Sequence, residues 1–152
     1  MIDVGQKLPE FALENQDGQR RTNAAYAGKW LVLYIYPKDD TPGCTIQGKA
    51  FTATKSDFDG AGAIVVGLSA DDTKSHKDFC TKFSFTIELL ADPAAKLLSA
   101  LDAGWSDYKG TKSWHRTTFL VDPTGVVRKV YLKVDPNGHE QAVLKDIAAL
   151  KG

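Results

Sequence analysis

Apolar residues along the chain fall either in continuous runs or at helical spacing. Trp30-Leu-Val-Leu-Tyr-Ile-Tyr36 is continuously apolar, branched and aromatic, which predicts a strand buried on both faces. Ala63-Ile-Val-Val-Gly-Leu68 repeats that signature, Ile87-Glu-Leu-Leu90 is a shorter candidate, and Thr117-Thr-Phe-Leu-Val121 a fourth. The turn Asp122-Pro-Thr-Gly125 joins this last run to Val126–Leu132 as a β-hairpin. Short strand candidates across residues 10–30, broken by Asn15-Gln16-Asp17-Gly18, predict an N-terminal hairpin. Elsewhere the spacing is helical. Thr41 as N-cap and Pro42 at the first helical position open a helix expected to run to about Phe58 and stop before Asp59-Gly60-Ala61-Gly62. Asp71 and Asp72 open another, whose His76, Phe79, Cys80 and Phe83 fall at i, i+3, i+4 and i+7. Ala94–Leu101 is a short helix, and Val143, Leu144, Ile147 and Leu150 stripe the last one. Gly104–His115 reads as a polar, aromatic loop.

Strand, helix, strand, helix and strand, followed by a hairpin and a helix, imply an α/β chain. The expected architecture is a central mixed β-sheet flanked by helices, arranged as in a thioredoxin-like fold, with an N-terminal β-hairpin. Residues 1–152 suffice for one domain with a full core, and no linker, repeat or low-complexity tract divides them. In open sheets of this kind, chemistry gathers beyond the C-terminal ends of the parallel strands. Cys44 stands at one such end.

Charge acts mainly by exclusion. Lys plus Arg (19) equals Asp plus Glu (19), so there is no basic field to attract nucleic acid or an anionic membrane. Small or neutral substrates suit this balance. The first residues, MIDVGQKLPEF, lack a charged segment followed by an apolar one, and the run Trp30–Tyr36 falls far short of the ~20 residues that cross a bilayer. A cytoplasmic protein is expected. There, two cysteines do not make a permanent staple; if they pair, the bond is transient and catalytic. His76, His115 and His139 are scattered without ligand spacing, so no metal or organic cofactor is expected.

Cys44 has two readings from its residues alone. Cysteine is often a small buried hydrophobe in a packed turn. With Thr41 as N-cap, however, Cys44 lies in the first helical turn, where unpaired backbone N–H groups and the helix dipole stabilise a thiolate. Asp39 and Asp40 would oppose that anion if they faced it; the expectation is that they are solvated turn residues pointing outward. They are adjacent rather than one residue apart, which argues against a nucleophilic aspartate pair.

Pro37, Thr41 and Cys44 spell Pro-x-x-x-Thr-x-x-Cys, which resembles the active-site signature of the peroxiredoxins. "YPKDDTPGCT" is similar to the bacterioferritin-comigratory, or PrxQ, branch, and "VGLSADDTKSHKDF", "LLADPAAKL" and "HRTTFLVDPTG" resemble further segments of it in the expected order. The resemblance implies that Cys44 is the peroxidatic nucleophile, that Thr41 and Arg116 polarise the peroxide, and that Pro37 shields the site. These roles suit the chemistry. Thiolate attack moves negative charge onto the departing oxygen, where a hydroxyl, backbone N–H groups and a guanidinium fork can hold it. Without the resemblance, Arg116 would pass for a surface arginine at a strand edge. One departure is Gln47, three residues after Cys44, where relatives often carry glutamate; the amide can hold Arg116 only without a charge.

The same resemblance implies a resolving cysteine. Many relatives place it five residues after the first, where this chain has Lys49, which leaves Cys80. Periodicity alone reads Cys80 as core, on one stripe with Phe79 and Phe83. Ser75-His76-Lys77-Asp78-Phe79-Cys80 resembles the later-helix arrangement of other members and implies an intramolecular Cys44–Cys80 disulfide. A disulfide requires Cα atoms within ~7 Å, so cysteines in two helices imply local unwinding on oxidation. The implied activity is reduction of hydrogen peroxide and small organic hydroperoxides, with thioredoxin or a similar dithiol as reductant and a monomer as the working form. A thiol–disulfide oxidoreductase would need Cys-x-x-Cys, absent here, since Thr-Ile-Gln follows Cys44. A non-catalytic binding domain on the same fold is the other alternative.

Overall fold

A computed structural model describes residues 1–152. The chain forms β1 (Ala12–Asn15), β2 (Arg20–Thr22), β3 (Trp30–Ile35), α1 (Pro42–Ala53), α2 (Lys55–Gly60), β4 (Ala63–Ser69), α3 (Thr73–Phe83) and β5 (Glu88–Ala91). It continues through α4 (Lys96–Leu101), β6 (Trp105–Tyr108), β7 (Thr111–Trp114), β8 (Thr117–Val121), β9 (Val127–Tyr131) and α5 (His139–Lys151). Seven strands make one sheet in the order β2-β1-β5-β4-β3-β8-β9, with β3, β4 and β5 parallel and the outer pairings antiparallel.

The apolar run of β3 explains its central place: all six residues are buried. Its alternation divides the core. Trp30, Val32, Tyr34 and Tyr36 join Phe51, Phe58, Phe79, Cys80, Val143 and Ile147 in one cluster. Leu31, Leu33 and Ile35 join Leu97, Leu98 and Leu101 of α4 in the other. This is the period of two expected of a strand covered on both faces. The α/β architecture, the mixed sheet and the N-terminal hairpin are as the sequence implies. No helix is long and apolar enough to cross a membrane.

Two local expectations need correction. The helix expected to reach Phe58 breaks after Ala53: Thr54 leaves helical backbone (φ −103°, ψ 9°), and its hydroxyl donates to the Ala50 carbonyl at 2.8 Å. Such back-bonding bends helices, and the chain resumes as α2. The segment expected as a loop, Gly104–His115, contains the separate β6–β7 hairpin. Lys109 (φ 53°) and Gly110 (φ 81°) both adopt the left-handed region at its tip, as a two-residue turn of the favoured hand requires. Lysine is an unusual residue there, so the turn carries little sequence signal.

Candidate active site

The site lies at the C-terminal end of β3. After Ile35 the chain passes through Tyr36, half-buried Pro37 and exposed Lys38, turns at Asp40 (φ 56°), and enters α1 at Pro42. Thr41 occupies the N-cap position with extended backbone (φ −107°, ψ 157°), and Thr45 N–H donates to its carbonyl at 2.9 Å. Its side chain does not cap. The hydroxyl instead donates to the Lys38 carbonyl at 2.9 Å, which leaves its oxygen lone pairs free to accept. Cys44, 1% exposed, therefore sits in a first turn whose N–H groups are not taken by a capping side chain.

Arg116 arrives from far along the chain. Because β8 runs antiparallel to β3 with Thr117 opposite Ile35, the residue before β8 is delivered to the strand end where Cys44 lies. Its Nη1 and Nη2 both approach Cys44 Sγ at 3.6 Å. The sulfur thus faces two donors of a group that stays protonated. Nη1 also donates to Gln47 Oε1 at 2.5 Å. Gln47 thus does orient the guanidinium despite lacking the charge of a glutamate. The consequence is an orphan: its Oε1 must face the donor, and its Nε2 is buried without a partner. Gly43 makes this arrangement possible, since a Cβ there would stand 2.8 Å from Arg116 Nη2 and 3.4 Å from Pro136 Cγ.

Asp39 overturns the expectation that both aspartates of the turn face solvent. Asp40 does, pairing with Lys82 at 2.8 Å, both half-exposed. Asp39 is buried and accepts from Tyr36 Oη (2.6 Å) and Ser75 Oγ (2.8 Å), with His76 Nδ1 at 2.7 Å. Adjacent residues project in opposite directions, and the left-handed backbone of Asp40 turns it outward while Asp39 points in. Sequence reasoning missed this group. The available signal was His76, a polar ring on the apolar face of α3, which needs a buried partner. Asp39, Asp71 and His76 also offer atoms within 4.8 Å of one another, a grouping that sequence spacing did not reveal. The Asp39 and His76 atoms are engaged with each other, and Asp71 Oδ2 accepts from Ser69 Oγ and the Asp39 N–H, so hydrogen bonding accounts for the cluster.

Cys80 lies one helical turn beyond His76, 8% exposed, on the apolar face with Phe79. Burial pushes its thiol up to about 12, the charges of Asp39 and Asp17 add to the rise, and Lys77 opposes it. Both cysteines are free thiols within the same apolar cluster. Lys49 is exposed, with its ammonium 5.1 Å from the Phe83 ring centroid.

A model of the AhpC/TSA family matches residues 4–130. The peroxiredoxin Bcp of Xanthomonas campestris pv. campestris is 41% identical over 158 residues, covering 99% of this chain and 97% of that one. A cysteine-to-serine variant of PrxQ from Xylella fastidiosa matches with a TM-score of 0.93 at 32% identity, over 100% of this chain and 99% of the other. The bacterioferritin comigratory protein of Xanthomonas campestris, solved in work on its alkyl peroxide reduction activity, gives 0.90 at 38% identity over 99% and 100%. The likeness runs the length of the chain rather than around one motif, and the chain therefore belongs to the AhpC/TSA family, as a peroxiredoxin of the Bcp/PrxQ branch with peroxidase activity.

Proposed function

We propose that Cys44 is the peroxidatic cysteine of this thiol peroxidase and Cys80 its resolving partner. The observation that carries the reading is the convergence of both guanidinium nitrogens of Arg116 on Cys44 Sγ at the start of α1. The thiolate attacks one peroxide oxygen in line with the O–O bond, an S–O bond forms, and the departing oxygen leaves as water or alcohol after taking a proton. Arg116 and the first-turn N–H groups hold the two oxygens and the charge that develops on the leaving one, while the free lone pairs of the Thr41 hydroxyl accept from the peroxide O–H. Pro37 shields the thiolate from water.

Cys44 is then a sulfenic acid. The Cys80 sulfur displaces its oxygen, forming the S–S bond and releasing water. Because Cys80 is enclosed in α3 with a protonated thiol, this step goes with local unwinding of the helices. A dithiol protein of the thioredoxin type reduces the disulfide. Hydrogen peroxide and small organic hydroperoxides are the substrates; alkyl peroxide reduction by the Xanthomonas campestris relative supports the second class. Two free thiols suit a cytoplasmic enzyme, and residues 1–152 act as one monomeric unit.

The test is a thiol count. Reduced protein given one equivalent of hydrogen peroxide loses both thiols within seconds, and Cys44→Ser abolishes the loss. Slow loss indifferent to that change overturns the assignment of Cys44. Mass spectrometry of the product finds a monomer ~2 Da lighter than the reduced protein and carrying a Cys44–Cys80 bond, the ~2 Da being the two hydrogen atoms (two protons and two electrons) lost in disulfide formation; its absence removes Cys80 from the cycle.

A further inference from the structure

The loop that leads into Cys44 and the helix that carries Cys80 are joined beneath the surface through one carboxylate. Asp39 Oδ1 accepts from Tyr36 Oη at 2.6 Å. Its Oδ2 accepts from Ser75 Oγ at 2.8 Å and lies 2.7 Å from His76 Nδ1. The other ring nitrogen, Nε2, lies 2.9 Å from the Leu90 carbonyl. That carbonyl can only accept, so Nε2 carries a proton, and a second proton lies between Nδ1 and the carboxylate whichever of them formally owns it. His76 is 0% exposed and Asp39 6%. Separating such a pair leaves buried polar groups without partners, which is far costlier than breaking an exposed one.

His76 and Cys80 are four residues apart on one face of α3. Drawing Cys80 out of the core toward an oxidised Cys44 unwinds the turn between them, and that turn is anchored at Asp39. We propose that Asp39, Ser75 and His76 form a latch that holds α3 folded over Cys80, and that opening this latch sets the rate at which Cys80 reaches the oxidised Cys44. The inference rests on Cys80 being the resolving thiol. None of the three touches peroxide; they are positioning residues. While the latch is shut, burial and the Asp39 charge keep the Cys80 thiol protonated and inert. Once it opens, the Cys80 sulfur forms the S–S bond, the S–O bond of the sulfenic acid breaks, and the hydroxyl leaves with the Cys80 proton as water. Peroxide has already supplied the oxidising equivalent.

Ser75→Ala tests this, because it removes one bond to the carboxylate from the half-buried start of α3. Asp39→Asn is the second variant and keeps the shape of the side chain. Reduced protein is mixed with one equivalent of hydrogen peroxide, quenched at intervals, and assayed by mass spectrometry for sulfenic acid and disulfide. The expected result is a disulfide step about tenfold faster relative to the peroxide step, the size of one hydrogen bond to a charged group. Over-oxidation to sulfinic acid per turnover falls by the same factor. Ser75→Thr, which keeps the hydroxyl, restores the parent ratio. In the reduced protein, amide hydrogen exchange across α3 speeds up in Ser75→Ala while α5 keeps its protection. An unchanged disulfide step, or opening confined to the last turn of α3 in parent and variant alike, overturns the latch. If the parent forms no Cys44–Cys80 bond, the resolving assignment fails instead, and the α3 exchange rates still decide whether the latch exists.

Discussion

Cys44 and Cys80 are both buried, both free and both members of the cluster that α1 and α3 build against the sheet, yet they sit at opposite poles of their helices. Cys44 is in the first turn of α1, where N–H groups gather and Arg116 closes on the sulfur. Cys80 is in the last turn of α3, where its own carbonyl accepts from the N–H groups of Ser84 and Phe85, and the charges that reach its thiol are mostly negative. Burial alone therefore does not decide what a cysteine does. The groups around each sulfur differ: two guanidinium nitrogens approach Cys44 Sγ, whereas burial and mostly negative charges push the Cys80 thiol up.

The largest expected way to break this contrast is to remove the guanidinium. Arg116→Ala lowers the second-order rate of Cys44 oxidation on the order of 10²–10³-fold, the range seen when one preorganised donor to a developing charge is lost. Arg116→Lys retains the charge without the fork and recovers only part of the rate. Stopped-flow oxidation by hydrogen peroxide measures both, and a loss below about tenfold for alanine removes Arg116 from the chemistry.

Acid acts on the support of α1. His139 stands edge-on to Phe51 of α1, with ring centroids 6.1 Å apart, and its Nε2 lies 2.9 Å from Thr118 Oγ1. Burial lowers its pKa from 6.5 to about 4, against the opposing pull of Asp146. The fold holds the ring neutral, so this stability is fully present above pH 6.5 and is lost as the pH falls from 6.5 toward 4. The loss is at most about 3 kcal/mol. Urea unfolding at pH 7 and pH 4.5 measures the slope, and His139→Gln flattens it; an unchanged slope refutes the assignment.

Gly43→Ala acts on the same contrast more gently. Its Cβ meets Arg116 Nη2 at 2.8 Å, so the guanidinium shifts off the sulfur and the oxidation rate falls on the order of ten- to a hundredfold. A normal rate would mean that Arg116 tolerates displacement. The smallest effect sharpens the difference between the two neighbouring aspartates. Lys82→Ala breaks the exposed Asp40–Lys82 pair and costs less than about 1 kcal/mol in thermal or urea unfolding, because solvent screens it. A larger cost would show that the surface pair, and not only buried Asp39, ties α3 to the Cys44 loop.

Some of this was legible in the residues. The continuous apolar run Trp30–Tyr36 placed β3, the apolar stripe of residues 76–83 placed α3, and Asp122-Pro-Thr-Gly125 placed the β8–β9 turn, because each signal is local. Thr41-Pro42-Gly43-Cys44 marked a helix start with a cysteine in its first turn for the same reason. The break at Thr54 and the Lys109-Gly110 turn escaped because each depends on one backbone choice that composition barely signals. The rest belongs to tertiary structure. The pairing of β8 with β3 brings Arg116 to a cysteine 72 residues away, and the packing of α3 turns His76 onto Asp39, 37 residues away. Local sequence by itself determined which segments form strands and helices and where a reactive cysteine could stand. Only the fold decided which charges face each sulfur, because electrostatic effects depend on distance in space and the chain sets that distance by folding.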